Sequence, residues 1–165
     1  MPSKGMNNIF VPLPLPSPFG AGANETEDRD RADVLFAVKY PLHILVADES
    51  YICRRVLILM LQRLGYTVDS VETGADCLRA AKASPYDLIL LDIDLPVMDG
   101  VECTRNLRRA GVQSSIVAVT ATPPEFAHLE CLTAGMNGYI EKPLITNDLK
   151  RALRLAYLGH IFAAA

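Results

Sequence analysis

Downstream of residue 40, short apolar runs alternate with stretches in which apolar residues recur every three or four positions. The runs at 43–47, 67–71, 88–91, 115–119 and 138–140 predict strands. The run at 88–91 is apolar throughout, as suits a strand covered on both faces. After the first run, Cys53, Val56, Leu57, Met60, Leu61 and Leu64 follow the i, i+3, i+4, i+7 spacing of an amphipathic helix, closed by Gly65. Further helices are expected at 75–83, 101–110, 124–134 and 146–158. Five βα units in succession predict an α/β fold, a five-stranded parallel sheet doubly wound by helices on both faces. In such sheets chemistry gathers at the carboxyl ends of the strands.

The first 40 residues break the pattern. Val11-Pro12-Leu13-Pro14-Leu15-Pro16-Ser17-Pro18, a glycine-containing patch and the charged stretch Glu25-Thr26-Glu27-Asp28-Arg29-Asp30-Arg31 read as a disordered extension, with polyproline II in the proline run and a solvated tail or short helix in the charged one. The expected organisation is therefore an extension over 1–40, one domain over 41–160 and a tail over 161–165. The 165 residues, 50% of them hydrophobic, suffice for one buried core and not for two domains. With 16 Lys and Arg against 19 Asp and Glu, a net charge of -3 gives no pull toward nucleic acid or anionic lipid. The longest apolar stretches fall far short of the roughly 20 residues a membrane helix needs. No signal-peptide core follows Lys4, and the four cysteines have neither CxxC nor zinc spacing, so a cytoplasmic, reducing compartment is expected, with access to the nucleus in a eukaryotic host.

The residues just beyond the strands carry the chemistry: Asp48 and Glu49 after the first, Asp92 after the third, Thr120 after the fourth and Lys142 beyond the fifth. Three carboxylates brought to one edge repel one another unless a cation intervenes, and an all-oxygen set without His or Cys favours Mg²⁺. Lys142 supplies a point charge and Thr120 a hydroxyl for phosphoryl oxygens. Together they make a phosphoryl-transfer site whose nucleophile is a carboxylate.

Four segments carry a family resemblance: Val46-Ala47-Asp48-Glu49-Ser50, Leu91-Asp92-Ile93-Asp94-Leu95-Pro96-Val97-Met98-Asp99-Gly100, Ala118-Val119-Thr120-Ala121, and Tyr139-Ile140-Glu141-Lys142-Pro143. Their key positions 48, 92, 120 and 142 are spaced 44, 28 and 22 residues apart. In this order and spacing the chain resembles a response regulator receiver domain, closest in pattern to the receivers of hybrid histidine kinases. The resemblance implies the flavodoxin-like (βα)5 fold and a His-Asp phosphorelay, in which Asp92 accepts a phosphoryl group from a histidine kinase or a histidine phosphotransfer protein. It implies that Asp48, Glu49 and Asp92 hold Mg²⁺ with the backbone carbonyl of Asp94, and that Lys142 precedes a cis proline. Thr120 and Tyr139 match the switch pair. The chain would then be a phosphoacceptor, acting catalytically only in its own phosphorylation and dephosphorylation, and would be a monomer or weak dimer.

Glu49 stands where an aspartate is more frequent, which bears on metal affinity, and Pro123-Pro124 should stiffen the loop after Thr120. Tyr51, Ile52, Ile58 and Leu59, left over once the core face of the first long helix is assigned, either dock a helical phosphotransfer partner or pack against a neighbouring helix or the N-terminal segment. Two other functions compete. Asp92-Ile93-Asp94 begins a haloacid-dehalogenase-type phosphatase motif, but Pro96 replaces its threonine. A pseudo-receiver that binds without phosphorylation is disfavoured by the presence of all five site side chains.

Overall fold

The computed structural model describes residues 33–121 and 124–164. The proline run, the charged stretch 25–31 and Pro123 lie outside the described residues. The elements are α1 Phe36–Lys39, β1 Ile44–Ala47, α2 Tyr51–Arg63, β2 Val68–Val71, α3 Gly74–Ala83, β3 Leu88–Asp92, α4 Gly100–Arg109, β4 Ser115–Thr120, α5 Pro124–Ala134, β5 Gly138–Glu141 and α6 Thr146–Ala164. All strand pairs are parallel, in the order β2-β1-β3-β4-β5. This is the expected doubly wound, flavodoxin-like sheet.

Alternation along the strands builds two cores. Ile44, Val46, Leu88, Leu90, Val117 and Val119 face α1, α2 and α6, whereas Leu45, Ala47, Ile89, Leu91, Ile116 and Ala118 face α3, α4 and α5. Both faces of β1 and β3 are buried, which is why β1, and β3 as far as Leu91, read as unbroken apolar runs. Three helices start on a side-chain cap at the carboxyl end of a strand. Ser50 accepts from the Cys53 amide at 3.3 Å, Thr73 from Asp76 at 3.1 Å and Asp99 from Glu102 at 2.8 Å. Gly65, at φ +90, ends α2 as expected.

Three expectations are corrected. Residues 33–40, assigned above to the extension, are part of the packed fold. Phe36 is buried, Asp33 pairs with Lys150, the Ala37 amide donates to the Leu64 carbonyl at 3.0 Å and the Tyr66 hydroxyl to the Tyr40 carbonyl at 2.6 Å. The segment thus ties the end of α2 to α6. Secondly, α6 runs past 158 to Ala164, through most of the expected tail. Thirdly, the buried residues of α2 are Arg54, Leu57 and Leu61, continued by Leu64, while Val56 is 45% exposed. The buried stripe is thus turned toward Arg54 and away from Val56, which lies two positions on and on another face. Among the described residues no helix is long and apolar enough to cross a membrane.

Candidate functional site

The register sets the site. Ala47 lies opposite Leu91 and Asp92 opposite Val119, so Asp48 and Asp92 emerge side by side from the carboxyl ends of β1 and β3. There the strand order reverses direction, since β2 lies on one side of β1 and β3 on the other. This is the crevice in which open α/β sheets place ligands.

Asp48 and Asp92 are buried, at 2% and 5% exposure. Lys142, just past β5, donates from Nζ to Oδ2 of Asp92 at 2.8 Å and to Oδ2 of Asp48 at 3.0 Å. The other carboxylate oxygens take backbone amides: Asp48 Oδ1 accepts from Ser50 at 2.8 Å and Asp92 Oδ1 from Asp94 at 3.0 Å. Burial pushes the Asp48 carboxyl above its ordinary pKa; the Asp92 charge pushes the same way, while Lys142 and the Ser50 amide oppose them. Burial alone would lower the Lys142 ammonium, but its hydrogen bonds and charge attraction to Asp92 and Asp48 outweigh this and raise it. With both carboxylates ionised, the trio carries two negative charges and one positive.

The peptide bond Lys142–Pro143 is cis, and the Lys142 amide donates to the Thr120 carbonyl at 2.7 Å. Thr120 is buried at the end of β4. Tyr139 is half-buried on β5 with its ring edge-on to His128, centroids 6.2 Å apart. Asp94 is exposed and enters the site through its backbone.

Glu49, the third carboxylate expected here, follows Asp48 directly. It is exposed, and among the described residues no three His, Cys, Asp or Glu side chains gather as a metal-ligand cluster. The structure therefore brings together Asp48, Asp92 and Lys142, with Thr120 alongside. Two further residues at this edge escaped the sequence reading. Arg54 donates from Nη1 to the carbonyls of Asp48, 2.6 Å, and Glu49, 3.4 Å, and from Nη2 to Glu72 Oε1 at 2.5 Å. A cation in the first turn of a helix, unaccompanied there by any acid, is the signal that could have found it.

Beside the crevice, α2 exposes Tyr51, Ile52, Val56 and Leu59; Ile58, predicted to join them, is half-buried. Ile52, Val56 and Leu59 share one stripe by helical spacing.

The sequence model of the response regulator receiver domain matches residues 44–154. The chain is 37% identical over 106 residues to two-component response regulator 24 of Arabidopsis thaliana, covering 64% of this chain and 76% of that protein. It is 37% identical over 119 residues to hybrid signal transduction histidine kinase L of Dictyostelium discoideum, covering 67% of this chain but only 7% of the kinase. Among solved structures it is similar to the receiver domain of the sensor histidine kinase PA1611 from Pseudomonas aeruginosa PAO1, which has a magnesium ion coordinated in its active-site cleft. That match has a TM-score of 0.66 and 36% identity, over 70% of this chain and 97% of the other. The receiver domain of the histidine kinase CKI1 from Arabidopsis thaliana, complexed with Mg²⁺ and BeF3⁻, matches at TM-score 0.67 and 30% identity, over 75% and 93%. Fold, site geometry and these similarities agree: the chain belongs to the response regulator receiver domain family.

Proposed function

We propose that Asp92 of this chain accepts a phosphoryl group from a phosphohistidine, so that the chain acts as a phosphoacceptor and not as a turnover enzyme. The observation that carries this reading is the Asp48–Lys142–Asp92 cluster, a buried carboxylate pair bridged by a single ammonium at the switch point of the sheet. A carboxylate oxygen of Asp92 forms the new bond to phosphorus, and the phosphorus–nitrogen bond breaks. Its electron pair returns to the donor imidazole, which takes a proton from water. Lys142 is a rotatable point charge already at the nucleophile, able to follow the phosphoryl oxygens as charge develops on them. Thr120, at the neighbouring strand end, supplies the hydroxyl on the same edge.

The donor set fits Mg²⁺. Two buried carboxylates share one ammonium, so with both ionised the site lacks one positive charge. Mg²⁺ is held through one or two carboxylates and keeps several waters, so Asp48 and Asp92, with the Asp94 carbonyl, form a sufficient set without Glu49. When bound, the ion neutralises negative charge on the reacting oxygens. The exposed stripe Ile52, Val56, Leu59, with Tyr51 beside it, suits docking of a helical histidine phosphotransfer protein or kinase domain.

Incubation with acetyl phosphate and Mg²⁺ tests the reading by intact mass. The wild type gains one phosphoryl group and Asp92→Asn gains none. An unmodified wild type, or equal modification of the variant, overturns it.

A further inference from the structure

Arg54 occupies a place that elementary helix electrostatics disfavours. It lies in the first turn of α2, where the unpaired amides make the helix end positive and where acidic side chains are normally favoured. It is also 8% exposed, and a buried guanidinium must find partners for its charge and its donors. Position 54 faces the core together with Leu57 and Leu61, so an apolar residue would satisfy the helix. A local rule broken in this way points to a role at a site.

Its partners lie on both acidic loops of the carboxyl edge. Nη1 donates to the carbonyls of Asp48 and Glu49, the two residues that lead from β1 into α2. Nη2 is anchored by Glu72, just past β2. The Glu49 carbonyl and the Ser50 amide belong to one peptide unit, and that amide holds Asp48 Oδ1 at 2.8 Å. The guanidinium therefore grips the peptide plane whose opposite side fixes the Asp48 carboxylate. Tyr51 covers the guanidinium, its ring centroid 5.9 Å from Cζ.

We propose that Arg54 is a positioning residue for the cation site, fixing the Asp48–Glu49–Ser50 backbone so that the Asp48 carboxylate is oriented for a divalent cation, with Glu72 as its anchor. This rests on the reading of Asp48 and Asp92 as Mg²⁺ ligands. Arg54 touches neither the cation nor the phosphoryl group, so its effect falls on affinity and not on the chemical step. Outer partners of this kind typically alter metal affinity by about 10- to 100-fold.

The test uses the full chain and Mg²⁺ titrated by calorimetry, with thermal unfolding recorded alongside. Arg54→Met, which keeps the stem, should weaken the Mg²⁺ Kd by about tenfold or more. Arg54→Lys should recover little of this, because an ammonium keeps the charge without the planar fork that reaches two loops at once. Glu72→Gln should weaken binding by a smaller factor. At saturating Mg²⁺ the rate of phosphorylation by acetyl phosphate should return to the wild-type value in all three. A folded Arg54→Met with wild-type Kd overturns the proposal; if that variant does not fold, wild-type Kd in both Arg54→Lys and Glu72→Gln overturns it. A rate that stays depressed at saturating Mg²⁺ overturns it as well. Each of these results leaves Asp92 as phosphoacceptor intact, whereas a wild type that neither binds Mg²⁺ nor takes up phosphoryl removes both readings.

Discussion

Two cations, one at each end of the sheet, are held by opposite means. At the carboxyl edge, Lys142 faces charge: two carboxylates and nothing neutral among its side-chain partners given above. At the amino edge, Arg108 at the end of α4 faces neutral acceptors. Nε and Nη2 donate to the Gly135 carbonyl at 3.1 and 2.9 Å, Nη1 to the carbonyls of Val112 and Ser114 at 2.7 and 2.9 Å, and Nη2 to Asn137 Oδ1 at 2.9 Å. All five guanidinium donors are used. Burial pulls Arg108 below its ordinary pKa, whereas the carboxylates hold Lys142 above its own. The Arg108 bonds point in fixed directions and close the turns that enter β4 and β5. The Lys142 pairing is a balance of charges that a divalent ion or a phosphoryl group can re-partition. One end of the molecule is fastened, and the other is poised.

The largest effect should come from unfastening. Arg108→Met leaves the carbonyls of Val112, Ser114 and Gly135 without this donor, while Asn137 Oδ1 keeps the Ile116 amide at 2.9 Å; unsatisfied buried acceptors cost about 1–3 kcal/mol each, less where water can reach them. A loss of about 3 kcal/mol in urea unfolding is expected, with phosphorylation of the folded fraction unchanged. A loss under about 1 kcal/mol would show that the amino edge is not held by this residue. Next comes Phe36→Ala. Large-to-small changes of a buried phenylalanine cost about 3–5 kcal/mol, and a short peripheral helix can partly collapse onto the gap, so about 2 kcal/mol is expected. A smaller loss than that of an exposed-site control such as Val38→Ala would detach 33–40 from the folding unit.

Lys142→Met should destabilise less, by about 1–2 kcal/mol near pH 8, and its loss should depend on conditions. Removing the ammonium leaves Asp48 and Asp92 facing each other, with only the Ser50 amide still opposing the rise of the Asp48 pKa. A carboxyl whose pKa is higher folded than unfolded binds its proton more tightly in the folded state. The ionised form therefore destabilises above the ordinary value of 3.8, and the variant should regain stability as pH falls through its raised folded pKa. Mg²⁺ should restore stability at pH 8, and phosphorylation should nonetheless stay slow. Unfolding free energies at several pH values, with and without Mg²⁺, check both arms; a pH-independent loss would contradict the charge-balance account.

How far the sequence reveals this contrast follows from the chemistry at each end. The central strands were legible because both sheet faces are covered there, which forces apolar runs such as Leu88–Leu91, whereas the edge strand β2 carries exposed Asp69 and Ser70. Asp48, Asp92, Thr120 and Lys142 were legible because a parallel sheet gathers strand ends on one edge. Arg54 and Arg108 were not, since a buried arginine and a solvated one are the same letter and differ only in the carbonyls that fold around them. That misreading displaced Val56 into the predicted core and put Ile58 among the exposed residues. Asp33 and Phe36 were hidden for a related reason: they adjoin the charged stretch 25–31, and their partners Lys150, Leu64 and Tyr66 lie far along the chain. Glu49 was read as a third carboxylate of the set from its place beside Asp48; its side chain is exposed, whereas that of Asp48 is buried.

The two ends also differ in where backbone strain sits, and this gives the smallest and most specific test. The positive-φ residues of the amino edge, among the described residues, are Gly65, Gly111 and Gly135, which adopt that conformation without a Cβ penalty. At the carboxyl edge the corresponding residue is Val97, at φ 68, fully exposed in the loop after Asp92 and closed by a Met98 amide donating to the Pro96 carbonyl at 2.8 Å. A β-branched residue held in such a turn is strained by about 1–3 kcal/mol. Val97→Gly relieves this strain but frees the unfolded chain, which offsets about 0.4–1 kcal/mol, so a net gain of up to about 1 kcal/mol is expected. Gly135→Ala, whose new Cβ would lie 3.0 Å from Arg108 Cγ at φ +102, should change stability in the opposite direction. Chemical unfolding of the two variants side by side decides the point: destabilisation by Val97→Gly would mean that the valine is held by contacts, and that the strain does not distinguish the poised edge from the fastened one.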